Sequence, residues 1–228
     1  MTEPALDPAA PTSQGADTAT TAQTTLVIDS ATDACSVALF SGTQLVAGDH
    51  RVLGRGHAEA LVPMISALPG RGRAARIAVA LGPGSFTGVR VGIAAARALA
   101  FAWGAPLVGY PTLALVAAMA REAEGDQPVA VAMTGGHGEW FTQGFAAGGA
   151  VTRELASQRP ADAAAAAVET LVAGNQAEAL VAARGHGHAL GLWPDARAFM
   201  RLDPAVLVAE AHPLYGRAPD AKLPASAA

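Results

Sequence analysis

The chain has 228 residues, of which 51% are apolar, 15% charged and 5% aromatic, with a formal net charge of −4. That length suits one large domain or two lobes, and so few large side chains require a core made dense by close backbone approach. The negative balance argues against a chain that grips nucleic acid unaided, and a lone cysteine, Cys35, excludes an internal disulfide framework or a Cys-rich zinc site.

Residues 1–23 are rich in Thr, Ala, Pro and Asp, lack a basic start and an apolar h-region, and are expected to form a disordered tail. No run reaches the roughly 18 uninterrupted apolar residues of a membrane span, so the expectation is a cytoplasmic protein with no membrane partner. The runs 24–29, 35–40 and 44–48 are apolar, rich in β-branched residues and separated by polar turns, which predicts a strand meander. From His57 to Leu68 the apolar residues Leu61, Met64, Ile65 and Leu68 fall at helical spacing, with Pro63 inside. A buried strand is expected over 76–81, a long helix over 86–102, a strand over 106–109 and a helix over 112–122. This order predicts an α/β lobe with a mixed sheet spanning 24–124.

A second α/β lobe is expected over 125–228, beginning after Gly125-Asp126-Gln127-Pro128. Strands are expected at 129–133, 140–145 and 151–155, a helix around 163–167, and a strand then loop over 171–175. Arg184-Gly185-His186-Gly187-His188 is read as a mobile loop, and a final helix is expected over 204–211. Two lobes that each open on a meander suggest a duplication at the level of fold, although no sequence repeat accompanies it.

The segment Gly82-Pro83-Gly84-Ser85-Phe86-Thr87-Gly88 joins a strand to a helix, where backbone N–H groups of Gly82, Gly84, Ser85 and Thr87 form a candidate anion site. It lacks the lysine of a P-loop and the spacing of a dinucleotide fingerprint. A structural reading competes with it. Gly84, Gly88, Gly92, Ala96 and Ala100 recur every four residues, a spine of small side chains that lets another helix approach closely. Spacing leaves open whether that neighbour lies in this chain or in another subunit.

These residues carry a resemblance. The opening runs Leu26-Val27-Ile28-Asp29-Ser30-Ala31-Thr32 and Ala34-Cys35-Ser36-Val37-Ala38-Leu39, the helix from His57, the Gly82–Gly92 segment, Pro111-Thr112-Leu113 and Pro213-Leu214-Tyr215-Gly216-Arg217 are similar to the bacterial TsaB family of tRNA threonylcarbamoyladenosine biosynthesis proteins. The resemblance implies a two-lobed actin-like (ribonuclease H-like) fold, each lobe a mixed sheet with helices. It also implies a role in forming N6-threonylcarbamoyladenosine at position 37 of tRNA, as a non-catalytic subunit without a cofactor or metal of its own. The implied partners are a TsaD-like catalytic subunit and a TsaE-like ATPase, with tRNA met only through the complex; a small-residue helix face left without its partner makes a homodimer the expectation for the chain alone. The implied docking surface is a bundle of the helices at 57–68 and 86–102, with His57, Leu61, Met64, Ile65, Gly88, Val89, Gly92, Ile93 and Ala96 as its expected residues. The sequence departs from the family where Thr134-Gly135-Gly136 precedes Glu139, in place of a common Asp-Ala-Arg.

Catalytic alternatives find less in the residues. His57 has no histidine at i+4 for a helical metal pair, and His186 and His188 sit among glycines. Ser85 is outside a Gly-x-Ser-x-Gly elbow, and Cys35 lies in an apolar run. Asp29 and Thr32 occupy the turn where actin-like relatives cradle phosphate, but this turn has no glycine. A peptidase of the glycoprotease type and a degenerate nucleotide-binding protein are the alternatives to the docking subunit.

Overall fold

The computed structural model describes residues 24–216, so the expected tail at 1–23 lies outside the described residues. β1 (Thr24–Asp29) and β2 (Ala34–Ser41) pair antiparallel, and β2 pairs antiparallel with β3 (Gln44–Val52). β4 (Arg76–Ala80) and β5 (Leu107–Tyr110) add in parallel beside β1, giving the order β3-β2-β1-β4-β5. β1 is buried along its whole length, with the apolar Leu26, Val27 and Ile28 at its centre. β3 extends four residues beyond the expected strand. Asp49, His50 and Arg51 break the apolar pattern there, yet an edge strand carries charge without cost, and Asp49 pairs with Arg51 at 2.6 Å.

Three helices serve this sheet. α1 (His57–Ala67) accommodates the exposed Pro63, and α2 (Phe86–Trp103) packs beside α1 and over β4 and β1. The Ser85 hydroxyl caps α2 by accepting the Gly88 N–H at 3.2 Å, and Gly104 closes it in the left-handed conformation with φ 64°. α3 (Thr112–Glu124) leads to the second sheet, and its buried face serves both cores.

That sheet comprises β6 (Val129–Thr134), β7 (Trp140–Phe145), β8 (Val151–Gln158), β9 (Leu171–Ala173) and β10 (His188–Leu190), in the order β10-β9-β6-β7-β8. Taken as meander then parallel additions, it repeats the order of the first sheet. The duplication is therefore present in topology although absent from the sequence. α4 (Pro160–Ala166) and α5 (Ala177–Arg184) cover it.

Residues 184–188 are not the loose loop expected. Arg184 ends α5, Gly185 caps it, and β10 starts at His188. The Arg184 guanidinium fastens the segment by donating to the carbonyls of Ala167, Glu169 and His186, each at 2.9 Å. The expected helix over 204–211 is likewise corrected to a single 3-10 turn at Pro204–Val206. Beyond it Val208 exchanges two backbone hydrogen bonds with Gly109 at the edge of β5, and that pairing takes the groups a helix would need. The chain past Asp195 thus returns to the first sheet. Ala196 N–H donates to the Ser36 hydroxyl at 2.9 Å, and Phe199 packs on Tyr110 and Phe40.

Candidate functional site

The small-residue spine faces this chain's own sheet. A side chain at Gly84 would collide with the Ala31 carbonyl, one at Gly88 with the Ser30 carbonyl, and one at Gly92 with the Ser30 hydroxyl. Ser30 locks the contact by donating to the Gly88 carbonyl at 2.9 Å. The expected docking residues are corrected accordingly. His57, Leu61, Met64, Ile65, Gly88, Val89, Gly92, Ile93 and Ala96 are all buried against the sheet or the neighbouring helix. Apolar periodicity marks the face of a helix that the chain buries itself, so it named the inward faces.

The outward faces belong to other residues. On α1, Ala58 and Val62 are exposed one turn apart; on α2, Ala94, Ala98 and Phe101 follow one another along one side. Val62 is 58% exposed and Phe101 92% exposed. The signal for this face was small and apolar residues on the side opposite the apolar stripe, a pattern that amphipathicity alone passes over. By length and composition α2 could cross a membrane, but its inner face is buried on β1 and β4 and it carries Arg90 and Arg97.

One member of the candidate anion site, Ser85, is committed within the chain. Ser85 N–H donates to the Ala31 carbonyl at 2.7 Å, the Ser85 hydroxyl is engaged as the α2 cap, and the Gly82 carbonyl accepts the Thr112 N–H at 2.9 Å. Gly82, with φ 92°, and Gly84 let the chain turn and press on the β1–β2 connection. Thr87 stays exposed on the first turn, without a cradle around it.

Below that contact Asp29 is fully buried. Burial lifts its carboxyl to about 7, partly offset by hydrogen bonds from Ala31 N–H at 3.0 Å and from the Tyr110 hydroxyl at 3.3 Å. Tyr110 also donates to the Ile28 carbonyl at 3.3 Å, and burial raises its own pKa well above the ordinary value. Sequence reasoning placed Asp29 at a turn but had no signal for this tyrosine, which comes from the end of β5. Burial likewise pushes the Cys35 thiol up to about 11, which keeps it protonated and unreactive at neutral pH.

Between the sheets lies a cleft of about 750 Å³. The first sheet contributes Thr32, Asp33, Ser85 and Arg90, the second contributes Thr134, Gly135, Gly136, His137, Phe141 and Asn175, and Leu214, Tyr215 and Gly216 close one side. Its rim is built by stacking: the Arg90 guanidinium sits 3.4 Å from the Phe86 ring centroid and donates to the Tyr215 hydroxyl at 3.1 Å. Thr134, at the family-divergent position, accepts from the Asn175 and Gln176 amides at 2.7 and 2.8 Å. With Met133, Phe141 and Trp193 in the wall, the cleft offers apolar contact beside polar groups that include Asp33 and Arg90.

Two five-stranded sheets of one topology, facing each other across a cleft, define an actin-like, sugar-kinase-like α/β protein. Within that class the model of the family described as TsaD, tRNA N6-adenosine threonylcarbamoyltransferase, matches residues 51–196, and the chain belongs to this family. It is 38% identical over 122 residues to the tRNA threonylcarbamoyladenosine biosynthesis protein TsaB of Escherichia coli (strain K12), covering 51% of this chain and 52% of that protein. It is 36% identical over 105 residues to the TsaB of Haemophilus influenzae, covering 43% and 44%. The chain thus spans about half the length of the curated relatives it matches. Among solved structures it is similar to a Pseudomonas aeruginosa protein described as having similarity to peptidase YEAZ, with TM-score 0.71 and 29% identity over 86% of this chain and all of that one. YeaZ from Pseudomonas aeruginosa matches with TM-score 0.70 and 26% identity, over 85% of this chain and 99% of that one.

Proposed function

We propose that this chain is a non-catalytic partner subunit in the formation of N6-threonylcarbamoyladenosine at position 37 of tRNA. It docks a TsaD-like catalytic subunit through the outward faces of α1 and α2. The observation that carries the reading is the row Val62, Ala94, Ala98 and Phe101, apolar and exposed on two adjacent helices whose small residues allow a partner helix to come close. Two groups that could do chemistry are committed elsewhere: Ser85 caps a helix and Cys35 is sealed in the core. In this reading a TsaE-like ATPase joins the pair, the protein is cytoplasmic, and the same face pairs two copies when the catalytic subunit is missing.

The test is co-expression with the TsaD-like subunit. Val62→Arg and Ala98→Arg each place a charge at the proposed contact without touching the core, so the thermal melt of the isolated chain should hold within about 0.5 kcal/mol. Partner recovered with the tagged chain should fall at least about tenfold, the equivalent of about 1.4 kcal/mol, and modified tRNA should fall with it. Wild-type recovery from both variants would overturn the proposed face.

A further inference from the structure

We infer that the end of the first sheet holding the α1–β4 and α2–β5 connections binds tRNA phosphates directly, through Arg71, Arg73 and Arg76. The inference rests on the tRNA-modification reading above and assigns this chain its own share of the RNA. Between Glu59 and Glu122 the sequence has no Asp or Glu, while it has six arginines, Arg71, Arg73, Arg76, Arg90, Arg97 and Arg121, in a chain of net charge −4. The fold occupies three of them: Arg121 faces Asp126 at 3.4 Å, Arg97 donates to the Ala211 carbonyl at 2.8 Å, and Arg90 stacks at the cleft. The other three make no ion pair among the described residues, with Arg71 and Arg73 exposed and Arg76 half-buried.

Strand register brings these three to one end of the sheet. Arg76 opens β4, the next residue pairs with Leu107 at the start of β5, and Ala75 N–H donates to the Thr24 hydroxyl at the start of β1. Thr24 in turn pairs with Ser41, which brings the hydroxyls and amide of Ser41, Thr43 and Gln44 to the same end. The turn carrying Arg71 and Arg73 is fixed rather than loose. Gly72 is buried on Ile65, and Arg71 and Arg73 N–H donate to the carbonyls of Leu68 and Gly70 at 2.9 and 3.2 Å. Within it Arg71 has φ 57°, a left-handed conformation that glycine would adopt freely and that an exposed arginine adopts at a cost. Packing does not ask for that side chain, which leaves its charge as what the position supplies. Guanidinium forks match phosphate oxygens, and surrounding hydroxyl and amide groups contact phosphate and sugar. The chain's net charge of −4 opposes a polyanion overall, so binding at this end is weak and depends strongly on salt.

The experiment measures binding of an unmodified tRNA transcript to the full chain in complex with its TsaD-like subunit, from about 50 to about 200 mM salt. The double variant Arg71→Gly, Arg73→Gln removes two charges, and glycine suits the left-handed backbone, so folding and partner recovery should match wild type. The expected result is tRNA binding weakened about tenfold or more, with the salt slope reduced by about 2. Unchanged affinity and slope with the partner still bound would overturn the inference. So would loss of the partner with RNA binding intact, which would assign the arginines to an acidic protein surface. Should no catalytic subunit associate at all, the docking reading fails by itself. The same titration on the isolated chain then decides the RNA contact.

Discussion

Asp29 shows what burial does to a single residue. Its folded pKa of about 7 lies above the ordinary carboxylate value, so the native state holds a proton that the unfolded chain releases. Its contribution to stability is therefore full below about pH 4 and is lost as pH rises toward about 7. Asp29→Asn keeps an acceptor for the Ala31 N–H and removes the charge. Relative to wild type, the variant should gain up to about 4 kcal/mol at pH 8 and close to nothing at pH 4, read from denaturant melts at both pH values. A constant difference across pH would mean that the wild-type carboxyl is ionised throughout. The position of Asp29 at the end of β1 was legible from the sequence, because the apolar run Leu26-Val27-Ile28 leads directly into it. Its chemistry was not, since the Tyr110 hydroxyl that meets it comes from 81 positions away.

At the scale of elements, β1 and β7 have the expected ends, and α1, α2 and α3 were legible to within two residues, because strong periodicity is local. What periodicity could not assign was the neighbour of each face. The spine of α2 was open to an internal or an external partner, and the structure gives it to β1, β4 and the turn at Ser30. A consequence is that Gly92→Leu should destabilise the isolated chain by about 3 kcal/mol or more in denaturant melts, because the side chain has no room beside the Ser30 hydroxyl. Ala94→Leu, two residues away on the exposed side, should stay within about 0.5 kcal/mol of wild type. Equal effects would refute the inward packing of the spine. α5 escaped the sequence reading for a different reason: it is eight residues long and four of them are alanine, so it shows little contrast between faces. The helix expected near the C-terminus failed because the edge of β5 competes for its backbone groups, a tertiary effect that no local pattern encodes.

Across the whole molecule, the repeated sheet order could be suspected from two meanders, but the path of the last segment could not. Residues 196–211 follow the second sheet in sequence and pack on the first in space, where Phe199 fills the core between Phe40 and Tyr110. Phe199→Ala should therefore cost about 3–5 kcal/mol. Amide exchange should accelerate in β1, β2 and β5 before it does in β6 and β7, and the reverse order would contradict the packing described. This return path also has a consequence for synthesis. A ribosome completes β1 to β5 early, yet the aromatic stack on Tyr110 and the pairing along Gly109 wait for residues made at the far end of the message. Until then the nascent first sheet has an open edge and an unfilled core, which are the features a chaperone recognises and an aggregate exploits.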